Sequence, residues 1–68
     1  MGEMVSIITP MYNAQKYIAD TMDSVLAQTY QNWEMIIMDD CSTDGGPDIV
    51  KEYSAKDSRI RYFRNERN

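Results

Sequence analysis

Apolar positions along the chain follow two different periods. Val5-Ser6-Ile7-Ile8-Thr9 is a short β-rich run, which Pro10 is expected to stop because it lacks an N–H and holds Thr9 extended. From Gln15 to Thr29 the period changes. Ile18, Met22, Val25, Leu26 and Thr29 recur at offsets of 4, 7, 8 and 11, which is one face of an α-helix. Lys16, Asp20, Asp23 and Gln28 fall on its wet side, and Asn13 is positioned as its N-cap. After a return loop at Tyr30-Gln31-Asn32, a second strand runs from Trp33 to Met38. Pro47 suits the first position of a second helix, where its missing N–H has no partner to lose. Asp48 complements the dipole there, and Ile49, Val50 and Tyr53 form a narrow apolar stripe that ends near Lys56. Ile60-Arg61-Tyr62-Phe63 alternates as a half-covered third strand.

Strand, helix, strand, helix, strand with crossovers of this length predicts two βαβ units. The fold class is therefore α/β: a three-stranded parallel sheet ordered 3-2-1 with both helices on one face. Nothing in the sequence covers the other face, where alternate residues from the neighbourhood of Val5, Ile7, Met35 and Ile37 must project. Purely parallel sheets are covered on both sides, so the chain reads as the opening half of a larger domain. An open apolar face on so small a unit also predicts self-association.

The second strand ends on chemistry. Met35 to Met38 is unbroken and apolar, and it is followed by Asp39 and Asp40, then Cys41-Ser42-Thr43-Asp44 and Gly45-Gly46. Two carboxylates place the strand tip at the edge of the core, and the carboxyl edge of a parallel sheet is where ligands bind. Neighbouring side chains on a strand face opposite ways, so one Asp faces a ligand while the other holds structure, for example by bonding loop amides. Ser42, Thr43 and Asp44 suit a loop that bonds its own backbone, and Gly45 and Gly46 allow tight geometry before the helix.

Composition narrows the possibilities. A chain of 68 residues is at most one small domain that buries about 60% of its unfolded surface. A single Cys41 and no His exclude an internal disulfide and the usual zinc sites, and suit a reducing, cytoplasmic setting. The net charge of −4 argues against a nucleic-acid partner. Lys56, Arg59, Arg61, Arg64 and Arg67 nonetheless crowd the end of the chain, as charges guarding a strand edge do. No apolar run approaches the roughly 20 residues of a membrane span, and no secretory signal opens the chain.

The loop after the first strand decides among nucleotide-binding possibilities. A dinucleotide-binding turn or a P-loop needs glycines for close approach to phosphates, whereas this loop reads TPMYNA. It offers instead the flat ring of Tyr12, which can stack on a base or pack beneath the loop.

Val5 to Asn13, Val25 to Tyr30 with its Ala27-Gln28-Thr29, and Trp33 to Asp44 with its Met38-Asp39-Asp40, closely resemble the family 2 glycosyltransferases in collinear order. So do Arg59-Ile60-Arg61-Tyr62 and Asn65-Glu66-Arg67-Asn68. The resemblance implies that residues 1–68 are a partial nucleotide-sugar-binding domain, the opening half of a Rossmann-like GT-A domain. It implies an inverting transfer of a sugar from a nucleoside-diphosphate donor, a UDP-sugar as the commoner case, to a glycan, lipid-linked or cell-envelope acceptor in polysaccharide biosynthesis. By position, Pro10 and Tyr12 line the base pocket, Asp40 accepts a hydrogen bond from the base, Asp39 lies beside it, and Thr9 is a weaker candidate at the strand tip. An ionised carboxylate selects bases that carry an imide N–H. Cys41 stands where the family often has glycine, and is read as a small buried filler. The family's D-x-D metal motif, its Arg-Asn helix and its general base have no counterpart here. A divalent metal, Mg or Mn, is thus expected for the intact protein with no ligands in this chain, and no catalytic residue is assigned. Location is expected to be cytoplasmic, with attachment to the inner face of the membrane left open.

Two other readings compete. A receiver-like signalling module also carries an acidic pair at a strand end, although there the pair follows the first strand. A non-catalytic module that self-associates through its uncovered sheet face is the other.

Overall fold

The alternation along Trp33, Met35, Ile37 and Asp39 organises the chain around its middle strand. The structure, a computed structural model, describes residues 3–65. Its elements are β1 (Val5–Met11), α1 (Ile18–Ala27), β2 (Trp33–Asp39), α2 (Gly46–Lys56) and β3 (Ile60–Arg64). The three strands are parallel with β2 in the centre, the expected 3-2-1 arrangement. Odd-numbered residues of β2 are all buried and even-numbered ones only half so, a strict period of two. Trp33, Met35 and Ile37 meet Ile18 and Met22 of α1, Val50 of α2 and Ile60 of β3 in one apolar cluster, so both helices lie on the same face. Ile8, Ile36, Met38 and Phe63 occupy the opposite face, where Ile8 and Phe63 are exposed.

The first strand continues two residues beyond Thr9, to Met11. In β1 the Val5 N–H donates to the Asn32 carbonyl and the Met11 carbonyl accepts from the Asp40 N–H, so odd-numbered residues bond toward β2. Pro10 therefore turns its ring nitrogen to the outer edge, where no ladder bond is lost. The residue expected to end the strand is accommodated inside it because β1 lies at one side of the described sheet.

Helix α1 begins later than its apolar spacing predicts. Residues 14–17 form a tight turn in which the Tyr17 and Ile18 N–H groups both donate to the Ala14 carbonyl, and Tyr17 rather than Asn13 is the N-cap, with no side-chain cap bond. Asn13 has a left-handed φ of 47° and spends its side chain on another loop, as described below. At the other end, Leu26 and Thr29 of the expected stripe are exposed, because α1 meets the sheet through Ile18 and Met22. Helix α2 matches its expected span, with Pro47 in the first turn and Val50 fully buried.

The basic residues of the last strand are neutralised within the fold. Arg59 stacks on Trp33 with its guanidinium 4.0 Å from the ring centre and pairs with Asp57 at 2.7 Å. Arg61 approaches Glu34 at 3.7 Å across the open face, and Arg64 pairs with Asp39 at 3.3 Å. Lys56 sits in the last turn of α2, where a cation favours the helix dipole. Arg67 and the Glu66-Arg67-Asn68 end of the motif lie outside the described residues. Among those described, no helix is long and apolar enough to cross a membrane.

A chain of this size has a total stability of about 3–10 kcal/mol. Ile37→Ala opens a cavity in the fully buried cluster and is expected to cost about 2–5 kcal/mol, whereas Leu26→Ala, on the exposed flank of α1, costs less than about 1 kcal/mol. Urea denaturation followed by circular dichroism measures both, and equal losses would contradict this placement of the core.

Candidate functional site

Two loops meet at the carboxyl edge of the sheet, one between β1 and α1 and one between β2 and α2. The carboxylate of Asp39, which ends the central strand, is fully buried. Burial of an ion without partners costs several kcal/mol, so its surroundings must supply donors. Oδ1 accepts from the Ser42 N–H at 2.9 Å and from the Ser42 hydroxyl at 2.5 Å. Oδ2 accepts from the Tyr62 hydroxyl and from Nη1 of Arg64 at 3.3 Å. Burial pushes the Asp39 pKa up, but the Ser42 hydroxyl, the Tyr62 hydroxyl, the Ser42 amide and the Arg64 charge outweigh it and leave the group below the ordinary carboxylate value. Tyr62 is shifted the opposite way, by burial and by its bond to Asp39, and stays protonated. Among the described residues no buried side-chain nitrogen or oxygen lacks a partner.

Asp40 is placed differently. Its N–H donates to the Met11 carbonyl at 2.8 Å, while its half-exposed carboxylate has no hydrogen-bond or ion-pair partner among the described residues. The adjacent acidic residues thus divide: one holds the loop and the other keeps a half-exposed carboxylate without a partner among the described residues. Met11 and Asp39 are the last register partners of β1 and β2, so Tyr12 and Asp40 each follow directly after a paired end. The Tyr12 ring is 58% exposed, which removes the possibility that it packs as a core aromatic beneath the loop. Of the other candidates, Thr9 is half-buried on the helix side of the sheet and Pro10 is exposed on the open side, as alternation requires.

The loops are tied across a sequence gap of about thirty residues. The Ser42 hydroxyl that donates to Asp39 also accepts from the Asn13 N–H at 3.0 Å. Oδ1 of Asn13 accepts from the Thr43 N–H at 2.8 Å and lies 3.4 Å from the Thr43 hydroxyl. One step further on, the Gln15 N–H donates to Asp44 at 3.0 Å and Oε1 of Gln15 accepts from the Gly45 N–H at 3.0 Å. Gly45 and Gly46 both have negative φ, so their role is space rather than unusual backbone. A Cβ on Gly45 would lie 3.0 Å from the Gln15 side chain, and one on Gly46 would lie 3.0 Å from Asp44. The left-handed residue of this loop is Cys41, with φ 62°. Glycine is the natural occupant of that conformation, so the loop keeps a glycine-like bend despite the substitution. Cys41 is half-exposed rather than a buried filler, because that bend turns its thiol toward the Asn65 carbonyl at 2.9 Å.

Sequence reasoning did not identify Tyr62 and Arg64 as partners of Asp39, nor Asn13 as a cross-loop tie. A signal for Arg64 was available, since it is the register partner of Asp39 once the sheet order is known.

The donor set does not suit a divalent metal. Among the described residues no three of His, Cys, Asp and Glu converge, and Asp39 is already committed to four protein donors. The divided carboxylates also disfavour a phosphate-accepting acidic pair, which needs both groups accessible. The two loops enclose no pocket among the described residues.

The family model described as glycosyl transferase family 2 matches residues 6–68. TuaG of Bacillus subtilis (strain 168), named as a teichuronic acid biosynthesis glycosyltransferase, is 55% identical over 65 residues, which are 96% of this chain and 26% of TuaG. The crystal structure of S. aureus TarS 1-349 in complex with UDP-GlcNAc superimposes with a TM-score of 0.86 at 32% identity, over 97% of this chain and 19% of that one. The mannosyltransferase PcManGT from Pyrobaculum calidifontis, in complex with GDP-Man and Mn2+, superimposes with a TM-score of 0.84 at 25% identity, over 94% of this chain and 20% of that one. The chain spans about a quarter of the length of the curated relatives it matches.

Asp39→Asn replaces an acceptor of four bonds with a group that presents N–H donors to other donors, and is expected to destabilise the chain by at least about 1.5–3 kcal/mol near pH 7. Because the folded pKa of Asp39 lies below its unfolded value, its contribution is complete above about pH 4 and is lost as pH falls through the folded value. The gap between wild type and variant should therefore narrow as pH falls below about pH 4 in urea denaturation, and a gap independent of pH would refute this role.

Proposed function

The chain belongs to glycosyl transferase family 2, and from that membership we propose that it forms the nucleobase-binding part of the donor site in an inverting enzyme that transfers a sugar from a nucleoside diphosphate. The observation that carries this reading is the division of labour at the tip of β2. Asp39 is buried and spent on the loop, while Asp40 is half-exposed and, like the exposed Tyr12, follows directly after a paired strand end. In the proposed complex the base stacks on Tyr12 and its imide N–H donates to Asp40, with Pro10 at the rim and Thr9 and Asp39 behind, the latter as support. Uracil carries that N–H at N3, and cytosine presents a lone pair to the carboxylate there. Guanine also has a ring N–H, so the chemistry admits both UDP-GlcNAc, found with TarS, and GDP-Man, found with PcManGT. We favour a UDP-sugar because the family resemblance points to it, and a cell-envelope glycan acceptor in keeping with the name of TuaG.

A divalent ion supplies charge balance for the departing diphosphate in such an enzyme, as the Mn2+ found with PcManGT suggests. Residues 3–65 offer it no ligand set, and none of them is given a role in bond making. Their part is to bind and orient the base.

The test is a calorimetric titration of the complete enzyme carrying this chain with UDP, GDP, CDP and ADP. We expect UDP to bind more tightly than CDP and ADP, and Asp40→Ala to weaken UDP by about tenfold to a hundredfold, the loss of one charged hydrogen bond. Equal affinities for all four, with no effect of Asp40→Ala, would overturn the reading.

The open sheet face supports a second, compatible proposal for the 68-residue chain by itself. Ile8, Ile36, Met38 and Phe63 lie together on one side with no element of the described residues over them, and we propose that a second copy covers them. Light scattering is expected to find a dimer or larger, with Phe63→Lys shifting it toward monomer. A folded monomer at high concentration would sink this proposal.

A further inference from the structure

The cross-loop ties have a consequence for selectivity that neither loop has alone. Tyr12 is on the β1–α1 loop and Asp40 on the β2–α2 loop, so the distance between them is set by whatever fixes one loop against the other. Beyond the last strand bond, two bonded pairs span the gap next to these residues. The Ser42 hydroxyl, itself anchored on buried Asp39, accepts from the N–H of Asn13, the residue after Tyr12. The Asn13 side chain returns across the gap to the Thr43 N–H. Ser42 is 97% buried, so no water competes for its hydroxyl. Asn13 is held at φ 47°, a left-handed conformation that asparagine tolerates better than most residues and that directs its side chain back to the partner loop.

We propose that Ser42 and Asn13 are positioning residues that set base selectivity: together they hold the ring of Tyr12 and the carboxylate of Asp40 at the separation one pyrimidine requires. Neither touches the base. Their effect passes through Asp40, which discriminates uracil from cytosine only when its oxygen meets N3 in the plane of the stacked ring. A loop free to shift keeps the stacking, which any base provides, and loses the edge contact, which distinguishes them. The inference rests on the nucleobase reading of Tyr12 and Asp40 given above.

The experiment is competition binding of UDP and CDP to the complete enzyme and to its Ser42→Ala, Ser42→Thr, Asn13→Gly and Asp40→Ala variants. The ratio of the two affinities is the readout, because general loosening of the fold weakens both nucleotides alike and leaves the ratio unmoved. Ser42→Ala is expected to lower the UDP to CDP preference by about threefold to tenfold, the worth of one neutral hydrogen bond, and Ser42→Thr, which keeps the hydroxyl, to restore most of it. Asn13→Gly removes the tie to Thr43 in a backbone conformation that glycine adopts freely, so it folds even where Ser42→Ala does not, and its preference should fall in the same direction. A preference unchanged in Ser42→Ala and Asn13→Gly but lost in Asp40→Ala overturns the positioning role alone. A preference unchanged in Asp40→Ala overturns the nucleobase reading and this inference with it.

Discussion

A charged oxygen pair with no exposure at the tip of the central strand is the constraint from which the rest of the edge follows. Asp39 lies on the helix side of the sheet, where a carboxylate is tolerated only if all its bonding capacity is met by protein groups. Those groups come from two directions, the loop after its own strand and the neighbouring strand β3. The Ser42 bonds curl the loop back over the strand end, which requires a left-handed residue between them at Cys41. The Tyr62 and Arg64 bonds fix β3 in register with β2. One buried ion therefore shapes the loop that displays Asp40 and locks the strand beside it.

The same carboxylate links the two sides of the site. Ser42 is shared between Asp39 and Asn13, so the β1–α1 loop is referenced to the core of the sheet through a single hydroxyl. Gln15, Asp44 and Gly45 repeat the arrangement farther out, and a side chain at Gly45 would press on the Gln15 amide that makes it. Exposed aromatic and acidic groups on mobile loops would bind a base weakly, since ordering them would consume the gain. In the proposed complex that ordering is done in advance, by bonds the ligand does not have to form.

Asymmetry between the faces is the second organising feature. All the fully buried apolar side chains of β2 point toward α1 and α2, and Glu34, Ile36 and Met38 on the other side are only half covered. The closely matching structures are several times longer than this chain and superimpose on nearly all of it, so this three-stranded unit recurs within larger enzymes.

The order and type of all five elements were legible in the sequence, because periods of two and of about 3.6 are local consequences of which side of an element faces the core. So was the contrast at Asp39 and Asp40, since a strand points adjacent side chains opposite ways. Which of the two would be buried was not legible, because burial of Asp39 depends on Tyr62 and Arg64, more than twenty residues away and brought near only by the parallel crossover. Pro10 misled about the end of β1 for the same reason: a missing N–H stops a strand only when it faces a neighbour, and that orientation is a property of the assembled sheet. Asn13 has the chemistry of a helix cap, yet the nearest donors in space are on another loop. The sequence by itself determined the elements and the residue types at the sheet edge, through short-range sterics and polarity. Only the tertiary structure decided their partners, because a hydrogen bond is set by distance in space and not by separation along the chain.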